Sequence, residues 1–101
     1  MDMGREIRRA VDTGKVSFGE KQAEKSVLKG AAELIVISGN AKQQTKEKIE
    51  QLCSVNNVPI YEFQGNGLAL GSVCGKPFVV SMLSIETAGK SKIMDSVKKT
   101  R

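Results

Sequence analysis

Gly19, Lys21 and Lys25 make the arrangement in this chain best suited to hold an anion. A helix that starts after a glycine presents unpaired N–H groups at its positive end, and the missing side chain lets another backbone come close. Lys21 and Lys25 lie four residues apart, so they share one stripe of that helix. The first turn of a helix should prefer acids to lysine. A lysine there suits a negatively charged ligand. It also suits a solvated surface helix in which Glu20 and Glu24 form the adjoining stripe and Lys21 pairs with Glu24.

Three further segments carry possible chemistry. The run GNGLALG (65–71) follows a predicted strand and opens a helix, as a phosphate-binding glycine loop does. Its G-x-G-x-x-x-G spacing is one residue longer than the dinucleotide fingerprint, and G-x-x-x-x-G-K-[ST] occurs nowhere. Glycines that tighten turns and admit close helix–strand packing explain the run equally simply. In LGSVCGKPFVV (70–80), Lys76, Pro77 and Phe78 stand at a loop–strand junction in a chain with only three Phe and one Tyr. A Phe placed there stacks on an unpaired base, or is merely the first inward residue of the strand. In GNAKQQTK (39–46), Asn40 is a plausible N-cap whose amide also suits a base or ribose, with Thr45 and Lys46 one turn further on.

These segments must be positioned by an alternation of strands and helices. Helices are predicted over 3–12 (Ile7, Ala10 and Val11 inward), after Gly19 (Ala23, Val27 and Leu28 inward), from Gly39–Asn40 to Val55 (Thr45, Ile49, Leu52 and Cys53 inward) and over 68–74. A last short helix takes Ile93, Met94 and Val97 as its apolar face. Strands are predicted over 16–18, 33–38, 59–63 and 78–85. The second and the last are apolar on both faces, the mark of interior strands. The pattern predicts an α/β fold, with helices on both sides of a small sheet.

Composition narrows the function. The 101 residues suit one domain, burying roughly two thirds of the unfolded surface. No apolar run approaches the roughly 20 residues of a membrane span, and MDMGREIRRA lacks a signal-peptide core, which suggests a cytosolic protein. There is no histidine, hence neither the commonest general base nor the commonest zinc ligand. Cys53 and Cys74 form no C-x-x-C pair and suit small core positions. The net charge of +5 points weakly to polyanions. It divides as +2 over residues 1–30, −1 over 31–62 and +4 over 63–101, so the two ends must fold together to make one basic surface. A nucleotide-dependent enzyme built on Gly65–Gly71 would need an acid, a base or a metal site, and the chain offers no histidine and no clustered carboxylates. An interaction adaptor with an incidental basic face is a further possibility.

The segments VSFGEKQAEKSVLKGAAELIVISGNA and VPIYEFQGNGLALGSVCGKPFVVSMLSI resemble the archaeal and eukaryotic large-subunit ribosomal L-thirty-e family, within the kink-turn RNA-binding superfamily. The similarity runs from about residue 5 to residue 93. Its specific parts are G-x-K-x-x-x-K before an apolar strand ending in Asn, and L-G-x-x-C-G-K-x-F before the last strand. The resemblance implies a three-layer α/β/α sandwich around a small mixed four-stranded sheet. It also implies a non-enzymatic structural constituent of the large ribosomal subunit, in the cytoplasm, that needs no cofactor, metal, membrane or small-molecule substrate. Its partners would be ribosomal RNA with a kink-turn, an internal bend flanked by sheared G·A pairs, and neighbouring large-subunit components. Three loop–helix junctions would converge on the RNA: Gly19, Lys21, Gln22 and Lys25; then Asn40; then Lys76, Pro77 and Phe78. Thr45 stands where the family often has Arg, with Lys46 adjacent and expected among the RNA-binding residues. Val79 replaces a frequent basic residue, and GKSK (89–92) replaces an acidic stretch. A non-ribosomal kink-turn RNA-binding protein is the alternative.

Overall fold

In the computed structural model, which describes residues 3–93, the elements run α1 (Met3–Thr13), β1 (Lys15–Phe18), α2 (Glu20–Leu28), β2 (Leu34–Ser38), α3 (Gln43–Asn56), β3 (Ile60–Phe63), α4 (Gly67–Val73) and β4 (Met82–Thr87). The sheet order is β1-β4-β2-β3. Strand β4 is antiparallel to both neighbours and β2 is parallel to β3, so the sheet is mixed. The two strands read as apolar on both faces are the two interior ones.

Strand alternation sorts their side chains into two cores. Leu34 and Val36 of β2, with Leu83 and Ile85 of β4, pack against Ile7 and Ala10 of α1 and Leu70 of α4. Ile35 and Ile37 of β2, with Met82 of β4, pack against Ala23 and Val27 of α2 and Ile49 and Cys53 of α3. The result is a three-layer α/β/α arrangement. Each fully buried Leu or Ile contributes about 1.5–3 kcal/mol. Cys53 and Cys74 are reduced core residues whose thiols burial pushes up to about 11.

Three local expectations change. Leu28 is 65% exposed, and the inward position of that turn is Ser26, whose hydroxyl donates to Glu86 Oε2 at 2.8 Å. Helix α3 starts at Gln43 with Lys42 as N-cap and no side-chain cap, so Asn40 is not the cap. Strand β4 starts at Met82 rather than at Phe78. Residues 78–80 leave the sheet because their main chain lies on α4, where the Val80 N–H donates to the Gly67 carbonyl at 3.0 Å. Of the predicted last helix, Ile93 is buried in the α1–α4 core, and Met94 and Val97 lie outside the described residues.

The described parts of the two basic ends of the chain meet at residues 90–92. The Lys92 N–H donates to Glu6 Oε1 at 2.8 Å, the Ser91 hydroxyl donates to Glu6 at 2.8–3.0 Å, and the Lys90 N–H donates to Thr13 Oγ1 at 2.9 Å. The Lys92 N–H, then the Ser91 hydroxyl, hold the Glu6 carboxyl below its ordinary range. A depressed carboxylate contributes stability above its unfolded pKa and loses it as pH falls through the folded one. Denaturant unfolding of Glu6→Gln should therefore show lower stability than wild type at neutral pH. The difference should shrink below the ordinary carboxylate range; an offset constant with pH would rule out this linkage.

Candidate functional site

Strands β1, β2 and β3 end, and β4 begins, at one edge of the sheet, because Phe18 pairs with Leu83, Ile37 with Met82 and Ser38 with Phe63. That topology brings the β1–α2, β2–α3 and β3–α4 connections and the segment before β4 to one edge. Hydrogen bonds join them: Gly19 N–H to the Met82 carbonyl at 2.9 Å, Ser38 N–H to the Ser81 carbonyl at 2.9 Å and Gly39 N–H to the Gly65 carbonyl at 2.7 Å.

Gly19 is the N-cap of α2 with φ 102° and ψ 155°, a backbone conformation that side chains disfavour. A Cβ there would meet nothing within 4 Å, so the space beside it is open. No side chain caps the helix, so its first N–H groups lack the side-chain acceptor a cap would supply. Glu20 supplies the acid that the first turn prefers. Glu24 pairs with Lys48 of α3 at 2.8 Å rather than with Lys21, and so ties α2 to α3. That hydrogen bond raises the Lys48 pKa. Lys21, Gln22 and Lys25 are exposed, and both lysines lack an ion-pair partner among the described residues.

Asn40 holds the middle junction together. Its Oδ1 accepts from the Gly67 N–H at 3.2 Å and lies 3.1 Å from the Ser38 hydroxyl. A backbone N–H needs an acceptor, so this contact fixes which end of the amide is oxygen. The amide nitrogen then has two donors left to offer. Asn40, Glu20, Lys42, Thr45, Gly67 and Val79 line a groove of about 350 Å³. Lys46 is engaged within the protein: its ammonium donates to the Gly39 carbonyl at 3.0 Å and pairs with Glu62 at 3.3 Å. It braces the loop that carries Asn40.

At the third junction the Lys76 ammonium sits 5.3 Å above the centre of the Phe18 ring. Phe78 meets Phe18 edge to face, with centroids 6.2 Å apart at 87°. Phe18 is the residue before Gly19, so this cluster bolts the third junction to the first. Phe78 is 49% exposed and is not an inward strand residue. Pro77 is exposed between Lys76 and Phe78, and Leu68 and Val79 add exposed apolar surface. Sequence reading missed Phe18 as a site residue. Its only signal was adjacency to Gly19.

The glycine run is occupied by the protein's own chain. The Gly67 N–H is held by Asn40, and a Cβ on Gly71 would run into the Phe78 carbonyl oxygen. These glycines admit close packing and leave no phosphate cradle. Among the described residues no cluster of three or more His, Cys, Asp or Glu could hold a metal, and no helix is long and apolar enough to cross a membrane.

Residues 1–95 match the ribosomal protein L7Ae/L30e/S12e/Gadd45 family. Large ribosomal subunit protein eL30 of Methanocaldococcus jannaschii is 41% identical over 99 residues, covering 98% of this chain and 90% of the relative. Its counterpart in Methanosphaera stadtmanae is 42% identical (94% and 97% covered), and that of Methanothermobacter thermautotrophicus is 42% identical (96% and 99% covered). A solved protein of unknown function from Bacillus halodurans C superposes with TM-score 0.82 over 97% of both chains at 22% identity, a likeness of fold.

Proposed function

We propose, from the premise that this chain belongs to the ribosomal protein L7Ae/L30e/S12e/Gadd45 family, that it is a structural constituent of the large ribosomal subunit and no enzyme. It works on the ribosome, in the cytoplasm, against ribosomal RNA and neighbouring large-subunit components. Its RNA target is a kink-turn, gripped by the loop edge of the sheet. The observation that carries this reading is the Lys76–Phe18–Phe78 cluster. It joins the first and third junctions beside an uncapped helix start and an amide with free donors.

The start of α2 enters the widened groove at the bend, where Gly19 leaves room for the RNA. Lys21 and Gln22 reach purine edges, and Lys21 suits the guanine acceptors O6 and N7. Lys25 neutralises a backbone phosphate. The Asn40 amide donates to a base from the middle junction, on a loop that Lys46 braces from behind. Phe78 stacks on a nucleotide, with Pro77 and Lys76 shaping that wall. The protein thereby selects the bent form from a flexible population of internal loops.

Binding titrations against a kinked internal loop and a plain duplex of equal length test the reading. Strong preference for the kinked RNA is expected, and equal affinity for both would sink it. Lys25→Ala should make the slope of log affinity against log salt shallower by about 1. An unchanged slope would remove Lys25 from the phosphate contacts.

A further inference from the structure

We propose that the solvent face of α1, flanked by Lys76 on one side and Lys90 and Lys92 on the other, is a second RNA-backbone site. It would hold phosphates of the duplex arm that leaves the bend; this rests on the reading above. Arg5, Arg8 and Arg9 project from the side of α1 opposite Ile7 and Ala10, all three exposed. Arg8 lies flat against Gly75, where an added Cβ would come within 2.6 Å of its Cζ. It pairs with Asp12 at 3.0 Å. Its charge and that of Lys76 both reach the Cys74 thiol and oppose the upward push of burial. The Arg8 edge of α1 therefore adjoins Gly75, next in sequence to Lys76, whose ammonium sits over Phe18.

The other edge adjoins the C-terminal segment. Glu6 and Thr13 hold residues 90–92 by their main-chain N–H groups and the Ser91 hydroxyl, which leaves the ammonium groups of Lys90 and Lys92 exposed. Among the described residues, five basic side chains thus share the α1 surface with one exposed acid, Asp12, while Glu6 is buried beneath.

The chemistry of this face selects its occupant. Among the described residues, none of the large exposed hydrophobics (Leu28, Val55, Leu68, Phe78 and Val79) lies on α1, so α1 itself presents no large exposed apolar side chain to anchor a protein partner or a lipid surface. Arginine, with a planar fork of donors, matches phosphate oxygens. The molecule is 28 Å along its longest axis, so an A-form duplex arm longer than one helical turn is long enough to run past α1 from the loop edge.

The experiment compares two kinked RNAs, one with arms of a few base pairs and one with arms longer than a helical turn, across a salt series. Arg9→Gln combined with Lys92→Gln is the test protein. Both side chains are exposed, and Lys92 holds Glu6 through its main chain, so the fold should persist. The double variant should bind the short-armed RNA as wild type does. It should bind the long-armed RNA roughly tenfold more weakly at about 0.1 M salt, with a slope shallower by about 2. Arg9→Lys, which keeps the charge but loses the fork, should keep the wild-type salt slope on both. Unchanged affinity and slope on the long-armed RNA would overturn the proposal, as would an equal loss on both RNAs. Wild-type preference for kinked RNA over plain duplex is read separately, so the two readings fail by different results.

Discussion

Phe78→Ala should weaken binding to the kinked RNA by about 1–3 kcal/mol, roughly 5- to 150-fold, with little loss of fold stability. The ring is half exposed and touches Phe18 by an edge, an arrangement that contributes about 0.5–1.5 kcal/mol in aromatic pairs. Phe78 is the one aromatic among the large exposed hydrophobics of the described residues, so its removal acts mainly on the RNA. Phe18→Ala should behave differently. Phe18 packs against the α1–α4 core and carries both Phe78 and the Lys76 ammonium. Its loss should lower the unfolding midpoint and the RNA affinity together. Titration and thermal unfolding of both variants separate the roles. A Phe78→Ala protein that binds the kinked loop as tightly as wild type would remove stacking from the mechanism.

The fold was legible because the interior strands announce themselves. The runs at Leu34–Ser38 and Met82–Ile85 alternate nothing, which marks burial on both faces and forces helices to both sides. The junctions were legible in part. Glycine before a lysine-bearing helix and Lys-Pro-Phe before a strand are local signals, and both lie at the loop edge. What local spacing does not encode is who holds whom. Asn40 has the residue type and position of an N-cap, yet it bonds to the Gly67 N–H twenty-seven residues away. Lys46 looks like a free cation one turn into a helix, yet Gly39 and Glu62 occupy it. Lys21 and Glu24 have the spacing of an ion pair, yet Lys48 on the facing helix takes Glu24. Phe18 reads as a strand residue, and only the pairing of β1 with β4 brings Lys76 and Phe78 to it. All but the Lys46–Gly39 contact join elements distant in sequence, and helical or strand periodicity carries no information about them.

Gly71→Ala should destabilise the protein by about 1–3 kcal/mol and weaken RNA binding as well. Local propensity gives the opposite sign. Gly71 lies inside α4, where alanine is favoured over glycine by about 1 kcal/mol. The tertiary contact decides against it. The new Cβ would run into the Phe78 carbonyl oxygen and lie 3.2 Å from its carbonyl carbon. Both are backbone atoms, so no rotamer change relieves the clash. Either α4 retreats from its core, where Leu70 is fully buried, or residues 78–80 lift away from it. Lifting breaks the Val80–Gly67 hydrogen bond and tilts the Phe78 ring off Phe18. With an ordinary stability of about 5–15 kcal/mol, the variant remains folded at 25 °C, so weaker RNA binding would report a displaced wall rather than unfolded protein. Chemical denaturation gives the sign directly. A Gly71→Ala protein more stable than wild type would mean that α4 and the 78–80 segment do not meet this closely. The loop that presents Phe78 would then lose its rigid support, and the stacking wall argued from it would have to be held by Phe18 alone.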